Sequence, residues 1–406
     1  MSVPLWRNRN FVLLETGRFL STLGSQSSAI AYPLLVLALT HSPAKAGIVS
    51  FAGTIPRPLL SMLAGYAADR GDRKRQMILA DVVRAIAVGA LGLLVLVGHA
   101  RWWPIPLVAL VEGTGSALFS AANAGALRAV VPTRQLPAAI GAQRGRQSAV
   151  MLGGTPLGGA LFQLGRSIPF LADAGSYAFS FLSLAWLRMP FQEPREPDSA
   201  PVLRQMAEGF SYLWSRPFLR TCALLYGLGN PLVTGVFLVL VVVARRQGLS
   251  GGEIGALTAA LGAAALVGSV ASPWFRRVLS IRSIMLLEYT TWFGAWVFVI
   301  WPSVYALLAV IVPFGIAAPI TDSVVDGYRV AMTPDRVLGR VEAARTTIAL
   351  MAAPIGPLAA GLLLEHVSAR ATIAVFATFA FSLLAWGALS PVIRSAPRLE
   401  ELEAAA

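Results

Sequence analysis

Long apolar runs separated by short polar segments make up almost the whole chain. A helix of about 20 apolar residues crosses the roughly 30 Å hydrocarbon core of a bilayer, and about twelve runs reach that length. The predicted spans are 11–39, 44–68, 77–98, 104–126, 140–164 and 168–187, then 218–244, 253–275, 281–301, 304–325, 341–365 and 371–392. This pattern predicts an all-α membrane protein with twelve transmembrane helices.

A polar segment separates the first six runs from the last six. Residues 189–217 begin with several prolines and charged residues, and apolar residues then recur at helical spacing through 202–214. A helix of that kind lies in the membrane interface. We expect an N-terminal six-helix bundle at 1–188, a cytoplasmic linker with an amphipathic helix at 189–217, a C-terminal six-helix bundle at 218–393 and a cytoplasmic tail at 394–406.

Two stretches half a chain apart resemble each other. Segments 127–162 and 328–363 align with one gap, which places Pro132 on Pro334. Internal repeats are frequent in transporter folds. The repeat predicts two pseudo-symmetric bundles in parallel relation to each other.

Composition and charge agree with a membrane location. The chain is 56% hydrophobic and 13% charged, whereas soluble domains carry about 25% charged residues. The net charge of +13 falls mainly in short loops, so it indicates helix orientation and no nucleic-acid partner. With both termini cytoplasmic, about 24 Lys and Arg residues lie in inner segments and 6 in outer ones, where Arg245 and Arg246 are the local exceptions.

The sequence gives little support to a catalytic or metal centre. Cys222 is the only cysteine, and His41, His99 and His366 are scattered near the ends of spans. Thiolate and histidine metal sites are therefore not expected. No P-loop sequence occurs either. We expect no enzymatic activity, no metal and no cofactor.

A short, strongly basic turn joins the second and third predicted spans. Residues 65–75 read Gly-Tyr-Ala-Ala-Asp-Arg-Gly-Asp-Arg-Lys-Arg. The cations of this turn are Arg70, Arg73, Lys74 and Arg75. The positive-inside rule places such a turn on the cytoplasmic side.

This turn resembles the signature loop of the major facilitator superfamily, which has a glycine, three residues, an aspartate, an arginine and then a basic pair. The segments 34–43 and 334–341 are similar to one branch of that family, the enterobactin exporters and macrolide efflux pumps. The resemblance implies two six-helix bundles around a central cavity. It also implies alternating access that is driven by proton antiport.

Two positions depart from the family pattern. Asp72 stands where the loop usually has glycine. The antiporter motif of the fifth span expects Gly-Pro-x-x-Gly-Gly, whereas residues 154–159 read Gly-Thr-Pro-Leu-Gly-Gly, with the proline one place late. Small residues permit close helix contacts and proline bends a helix. We therefore expect Gly154, Pro156, Gly158 and Gly159 to contribute to gating.

The aspartate of the basic turn has two interpretations. In the first, Asp69 is a cytoplasmic latch that pairs with Arg128, or with the N-terminus of the eleventh span near Arg340, while Gly65 lets a neighbouring helix approach closely. In the second, the turn is a topology signal and nothing more. The latch is the interpretation that we favour.

Ionisable residues inside spans are unfavourable by about 2.5–3.5 kcal/mol each on insertion scales, so they face a partner or a cavity. Glu15 and Arg18 lie one helical turn apart in the first span, and Asp81 and Arg84 repeat this spacing in the third. Each spacing predicts a neutralising pair. Glu15 and Arg18 are also candidates for contact with substrate or protons, because the first span lines the cavity in the family.

Further candidates lie deeper in the bundles. Glu112 either pairs with Arg57 or carries the transported proton, since burial disfavours the charged form of a carboxyl group. Asp322 in the tenth span is a second carboxyl candidate, by resemblance. Polar residues that could contact substrate, or simply pack helices together, are Asn123, Asn230 and Thr234.

The sequence therefore predicts a secondary transporter of the bacterial cytoplasmic membrane that exports an amphipathic small molecule in exchange for protons. We expect a monomer whose partners are the substrate, protons and the lipid bilayer. One alternative is an importer or lipid mover of the same fold. An alternative from another class is a membrane sensor or immunity partner that transports nothing.

Overall fold

A computed structural model describes residues 5–187, 191 and 202–395. Within these residues the chain forms α-helices and short 3-10 helices and no β-strand. It divides into two compact units, Met1–Asp198 with Gly248–Ala259, and Ser199–Gln247 with Ala260–Ala406. The expected bounds of the bundles, linker and tail stay a prediction, and residues 188–190, 192–201 and 396–406 lie outside the described part.

Three helices of the first unit begin at residues whose side chains cap the helix, namely Asn8, Ser42 and Asp72. Asn8 accepts hydrogen bonds from the backbone N–H groups of Asn10 and Phe11, and Ser42 accepts one from Lys45. The helices are α1 (Arg9–Thr40), α2 (Pro43–Thr54), α3 (Pro56–Arg70), α4 (Arg73–Leu96), α5 (Ile105–Val130), α6 (Leu136–Leu164) and α7 (Ile168–Trp186), with 3-10 turns at Leu5–Arg7 and Thr133–Gln135.

The second unit has more interrupted helices. They are α8 (Val202–Ser215), α9 (Pro217–Arg246), α10 (Gly251–Val278), α11 (Ile281–Thr290), α12 (Ala295–Ile300), α13 (Leu308–Met332), α14 (Asp335–Ala352), α15 (Ile355–His366), α16 (Ala369–Leu389) and α17 (Pro391–Arg394). The 3-10 turns are Thr291–Gly294 and Val304–Leu307. The first residues of α10 belong to the first unit.

Ten helical segments of the described chain are long and apolar enough to cross a membrane. Two of the predicted spans are not among them. The second span is divided at Ile55 into α2 and α3, because Pro56 has no N–H to continue the helix. The fifth span is the continuous helix α6 of 29 residues, whose first half carries arginines and glutamines. With these two, the described residues contain helices at the positions of all twelve predicted spans.

Small residues mark the closest helix contacts of the first unit. Lipid is as apolar as the helix surface, so helices associate through close packing and polar contacts. α1 packs against α6 and α7, and α4 packs against α5 and α7. A Cβ atom added at Gly17 of α1 would lie 3.2 Å from the Cβ of Ser183 of α7. These contacts put α1 in the interior of the unit.

Helix α8 contains the whole amphipathic stretch, 202–214, that we expect in the membrane interface. Its Glu208 forms an ion pair with Arg340 of α14, and the hydroxyl of Tyr212 donates to the carbonyl of Met332 over 3.0 Å. Leu213 is buried. α8 is thus fastened to α14 and to the end of α13, and its placement at the interface stays a prediction.

We predict that alanine has different effects on stability at two glycines of α6. A Cβ at Gly158 would overlap the carbonyl oxygen of Ser27 in α1, whereas a Cβ at Gly153 meets no described atom within 4 Å. Gly158→Ala should lower the free energy of unfolding by about 1–3 kcal/mol. Gly153→Ala should leave it equal or slightly raised, because alanine favours helix. The apparent unfolding temperature in detergent measures both, and equal effects would contradict the α1–α6 packing.

Candidate functional site

Helices α1, α4, α5 and α7 enclose a group of ionisable side chains in the first unit. Helical i, i+4 spacing puts Asp173 and Tyr177 on one face of α7. We call the group the carboxylate cluster, and its members are Tyr32, Asp81, Arg84, Glu112, Asp173 and Tyr177. All of these except Glu112 are buried, and Glu112 keeps partial exposure.

Glu112 of α5 lies between two phenols. The hydroxyl of Tyr32 donates to Oε2 of Glu112 over 2.6 Å, and the hydroxyl of Tyr177 donates to Oε1 over 3.0 Å. Tyr177 also lies 2.8 Å from the hydroxyl oxygen of Ser25. Each carboxylate oxygen of Glu112 therefore accepts a hydrogen bond from a neutral hydroxyl, and the residue remains partly exposed.

Asp173 of α7 is completely buried. The hydroxyl of Ser28 donates to its Oδ2 over 2.6 Å, and the hydroxyl of Ser176 lies 3.3 Å from Oδ1. Asp173 also interacts electrostatically with Glu112. These two carboxyl groups thus share one pocket in which the hydrogen-bond donors are neutral hydroxyls.

Arg84 is the cation of the cluster. It forms an ion pair with Asp81, as their i, i+3 spacing predicts, and its Nε donates to the carbonyl of Ala80 over 3.2 Å. Its guanidinium lies 4.3 Å from the ring centroid of Tyr177 and 5.1 Å from that of Phe119. The guanidinium of Arg84 therefore has a carboxylate, a carbonyl and two aromatic rings as partners within the first unit.

The charges of the carboxylate cluster do not balance when all its groups are ionised. The carboxyl groups of Asp81, Glu112 and Asp173 lie near the single guanidinium of Arg84, which already pairs with Asp81. An uncompensated ion in a low-dielectric interior is unfavourable by several kcal/mol. The cluster is therefore chemically suited to take up and release protons on its carboxyl groups.

The alternative pairing of Glu112 with Arg57 does not form. Glu112 contacts Tyr32 and Tyr177, on α1 and α7. Arg57 is exposed in the first turn of α3 and makes no ion pair among the described residues. The two helices are close here, since a Cβ at Gly113 of α5 would lie 3.1 Å from Pro56 of α3. The pair does not form because the side chains of Glu112 and Arg57 point to different surroundings.

A second polar group lies between α1 and α6. Oε2 of Glu15 is 3.2 Å from Nε of Arg146, and Oε1 accepts from Nε2 of Gln143 over 3.0 Å. Arg18 interacts electrostatically with both Glu15 and Arg146. We call Glu15, Arg18, Gln143 and Arg146 the arginine site. The ion pair expected between Glu15 and Arg18 is therefore not formed among the described residues, because Glu15 pairs with Arg146 of α6, and Arg18 interacts with Glu15 only electrostatically.

Several contacts of the basic turn are local, and Nζ of Lys74 also donates to the carbonyl of Leu187 after the end of α7. Asp72 caps α4 by accepting from the N–H of Arg75 over 3.1 Å, at φ −72°, so this position needs no glycine. The guanidinium of Arg70 lies 4.5 Å from the ring centroid of Tyr66, and Nε of Arg73 donates to the carbonyl of Ala68 over 3.0 Å.

The predicted latch is only partly visible in the described residues. The side chains of Asp69 and Arg128 lie outside the described part of the structure. Arg340 pairs with Glu208 in the second unit. The close helix approach expected at Gly65 is not found, because a Cβ there meets no described atom within 4 Å.

The glycine-rich part of α6 packs closely against α1 and the first turn of α10, as its composition suggests. Gly154 lies against Gln26 of α1 and Gly158 against Ser27. Gly159 lies against Gly251, in the first turn of α10 that belongs to the same unit. Pro156 stands inside the helix without ending it. A displaced proline is thus compatible with a continuous α6.

Asp322 and its neighbours form an ionic group in the second unit. Asp322 is exposed, and Asp326 and Arg345 are its electrostatic neighbours. Asp326 lies 3.0 Å from Arg329, and Glu342 binds Arg345 over 2.9 Å. This group has three carboxylates and two guanidinium groups, so its charges are closer to balance than those of the carboxylate cluster.

Three polar candidates have different surroundings. Asn230 donates to the carbonyl of Ala349 over 2.8 Å, and Thr234 to that of Ala353 over 2.7 Å, so both fasten α9 to the region of the α14–α15 break. Asn123 is buried, and neither of its amide atoms has a partner among the described residues.

Several residues of these sites were missed in the sequence. Asp173 lies in a predicted span, so the rule that flagged Glu112 applies to it as well. The charge count includes Arg146 among the inner basic residues and so assigns it no site, because the start of the fifth predicted span is polar. Tyr32 and Tyr177 gave no signal, since aromatic residues are scattered over all spans.

Known proteins resemble this chain over most of its length. The family model of the Major Facilitator Superfamily matches residues 14–291. The multidrug efflux pump Tap of Mycolicibacterium fortuitum is 26% identical over 402 residues, 94% of each chain. The enterobactin exporter EntS of Salmonella paratyphi A is 28% identical over 335 residues, 80% of this chain and 78% of the exporter.

A solved structure shows the same fold at low sequence identity. The nucleoside transporter NupG is 13% identical and superposes with a TM-score of 0.74, over 96% of this chain and 100% of that one. The two bundles implied by the signature loop are therefore supported by structure as well as by sequence.

We predict that Arg84 and Asp81 depend on each other for stability. Arg84→Met leaves Asp81 buried without its cation, which should destabilise the protein by about 3–5 kcal/mol. The double variant Asp81→Asn/Arg84→Met should be more stable than Arg84→Met alone. Unfolding temperatures of both single variants and the double variant in detergent test this, and simple additivity would contradict the pairing.

Proposed function

The chain belongs to the major facilitator superfamily, and we propose that it is a secondary exporter that moves an amphipathic small molecule out of the cell in exchange for protons. Tap and EntS, which the chain resembles over most of its length, are named as an efflux pump and an exporter. Their names support the outward direction and a drug-like or siderophore-like substrate.

The observation that carries proton coupling is the carboxylate cluster. Glu112 is partly accessible, and Asp173 behind it is completely buried among hydroxyl donors. In the proposed cycle the carboxylate of Glu112 takes up a proton from the outside, and the carboxylic acid releases that proton to the cytoplasm. Substrate leaves during the return step.

Transport by alternating access needs helices that move against each other without losing contact. The contacts of Gly154 and Gly158 with α1, and of Gly159 with the start of α10, support a gating role for this part of α6. The latch at Asp69, with Arg70 and Arg73 in the same turn and Arg128 or the start of α14 near Arg340 as its alternative partners, remains part of the proposal on the strength of the signature loop.

Location and assembly are also proposed. The excess of Lys and Arg in alternate loops supports a bacterial cytoplasmic membrane protein with both termini inside. The substrate, protons and the bilayer are its partners, and the monomer is the working unit. An importer or lipid mover would show the opposite direction or a lipid substrate, and a sensor would move no protons.

We predict that Glu112→Gln uncouples transport from the proton gradient. Glutamine keeps the size of the side chain and one hydrogen-bond acceptor for tyrosine. Its amide, unlike a carboxyl group, does not take up and release a proton. In inverted membrane vesicles with an imposed pH gradient, gradient-driven uptake should fall to background. Exchange of labelled for unlabelled substrate without a gradient should persist. Macrolides, catecholate siderophores and lysophospholipids are the compounds to screen first.

Glu253→Gln is the matched control for this experiment. Glu253 is exposed in the first turn of α10 and accepts from Ser250, and glutamine serves equally well in a capping box. This variant should transport like the wild type. Normal gradient-driven uptake by Glu112→Gln would refute the role of Glu112, and wild-type vesicles without proton movement would refute the exporter.

We predict that Asp69→Asn reduces transport while the protein still reaches the membrane, because the latch needs a negative charge. Asp72→Asn removes a charge from the same turn but keeps the helix cap, since asparagine caps as well as aspartate. Only Asp69→Asn should lower the transport rate. Equal rates in the two variants would remove the latch from the proposal.

A further inference from the structure

The two arginines of the arginine site lie at a similar depth within their helices. Arg18 follows the start of α1 by nine residues and Arg146 follows the start of α6 by ten, which places them about 13 and 15 Å along the helix axes. The side chain of Arg146 keeps only 11% exposure, and a shielded cation without a counter-charge is unfavourable by several kcal/mol. The presence of the two arginines therefore calls for a counter-charge.

The protein supplies only part of that counter-charge. Glu15 is the one carboxylate of the arginine site, and its oxygens are already engaged by Gln143 and Arg146. Arg18 and Arg146 repel each other across the short distance between α1 and α6. The arginine site thus has one positive charge in excess.

Hydrogen-bond donors in the arginine site are also left over. No described group accepts a hydrogen bond from the guanidinium of Arg18, which has five N–H donors. Nε of Arg146 is buried and lies 3.2 Å from Glu15, but its N–H is not aligned for a hydrogen bond. Another contact of Arg146, with the hydroxyl of Thr22, is long at 3.4 Å.

Arg84 shows that unused donors are not general for the buried arginines of this protein. Its guanidinium has a carboxylate, a carbonyl and two aromatic rings as partners. The arginine site also remains reachable, since the side chains of Arg146 and Glu15 keep 11% and 13% exposure. Shielded yet accessible guanidinium groups with free donors are suited to bind a ligand.

We propose that Arg18 and Arg146 bind an oxyanion, a carboxylate or a phosphate, between α1 and α6. The planar guanidinium matches the two oxygens of such a group and binds them with paired, charge-assisted hydrogen bonds. The anion completes the charge balance that Glu15 leaves open. Two sources of this anion are possible in chemistry. One is the acidic group of the transported amphipathic molecule, an identification that rests on the proposed function. The other is the phosphate of a phospholipid headgroup.

Binding of naphthyl phosphate and naphthoate to the full-length protein in neutral detergent tests the oxyanion site. Isothermal titration calorimetry gives the dissociation constants, with naphthalenemethanol as the uncharged analogue. Arg18→Gln and Arg146→Gln should each weaken binding of the two anions by at least about tenfold, the effect of losing hydrogen bonds to a charged group. The uncharged analogue should bind all variants equally.

Arg101→Gln is the matched control, because it removes one arginine from an exposed loop. It should bind the anions like the wild type. Arg18→Lys keeps the charge but loses the planar fork, so its affinity should lie between those of wild type and Arg18→Gln, and it serves if Arg18→Gln does not fold. Equal affinities in Arg18→Lys, Arg146→Gln and Arg101→Gln would overturn the proposal.

Repeating the titration in nanodiscs separates the two sources of the anion. Competition by phosphatidylglycerol, absent with phosphatidylcholine alone, identifies a lipid phosphate as the occupant. Undiminished binding in both lipids identifies the soluble anion. The titration uses no proton gradient, so a failure of proton-coupled export would leave the anion result intact.

Discussion

Inside a bilayer no bulk water satisfies a charge, so each ionisable side chain of a span needs a partner from the protein, a proton or a ligand. This constraint decides how the polar residues of the first unit are arranged. Arg84 finds Asp81, a carbonyl and two aromatic rings. Glu112 and Asp173 find hydroxyls but no free cation. Because Glu112 and Asp173 lack a cation as partner among the described residues, a proton is what neutralises them.

The two polar groups of the first unit have opposite imbalances. The carboxylate cluster has more acids than bases, and the arginine site has more bases than acids. Helix α1 contributes to both, through Tyr32 in the first and Arg18 in the second. Fourteen residues separate these two side chains, about 21 Å along the helix. Helix α1 therefore connects the carboxylate cluster, where we propose that a proton binds, with the arginine site, where we propose that an anion binds.

That helix is also where the small residues of α6 make contact. Gly154 and Gly158 bring the α6 backbone against Gln26 and Ser27. The contact lies between the two polar groups along α1. Any shift of α6 along this contact would move Arg146 relative to Arg18, since Arg146 is carried by the same helix. The close packing, the arginine site and the proposed motion of α6 thus all depend on the α1–α6 pair.

The sequence predicted what depends on length, apolarity and local spacing. Twelve segments, the family resemblance and the ion pair of Asp81 with Arg84 all follow from such features. The break at Pro56 needed more than hydropathy, because apolarity continues through it. The pairing of Glu112 with Arg57 was wrong, since which neighbour a side chain faces is set by tertiary packing.

Partners that come from distant helices could not be predicted. Tyr177 is 65 residues from Glu112 along the chain, and Arg146 is far from Glu15 in the same way. No local pattern records such contacts. The site residues at Asp69 and Arg128 remain predictions, because their side chains lie outside the described part of the structure.

Infrared difference spectroscopy of the purified protein in lipid tests the central claim most directly, that Glu112 in the carboxylate cluster exchanges a proton. A titration with pH should show the C=O stretching band of a protonated carboxylic acid that disappears on deprotonation. The component of this band that belongs to Glu112 should be absent in Glu112→Gln and present in Glu253→Gln. A spectrum without such a band, or one that is unchanged in Glu112→Gln, would contradict the account.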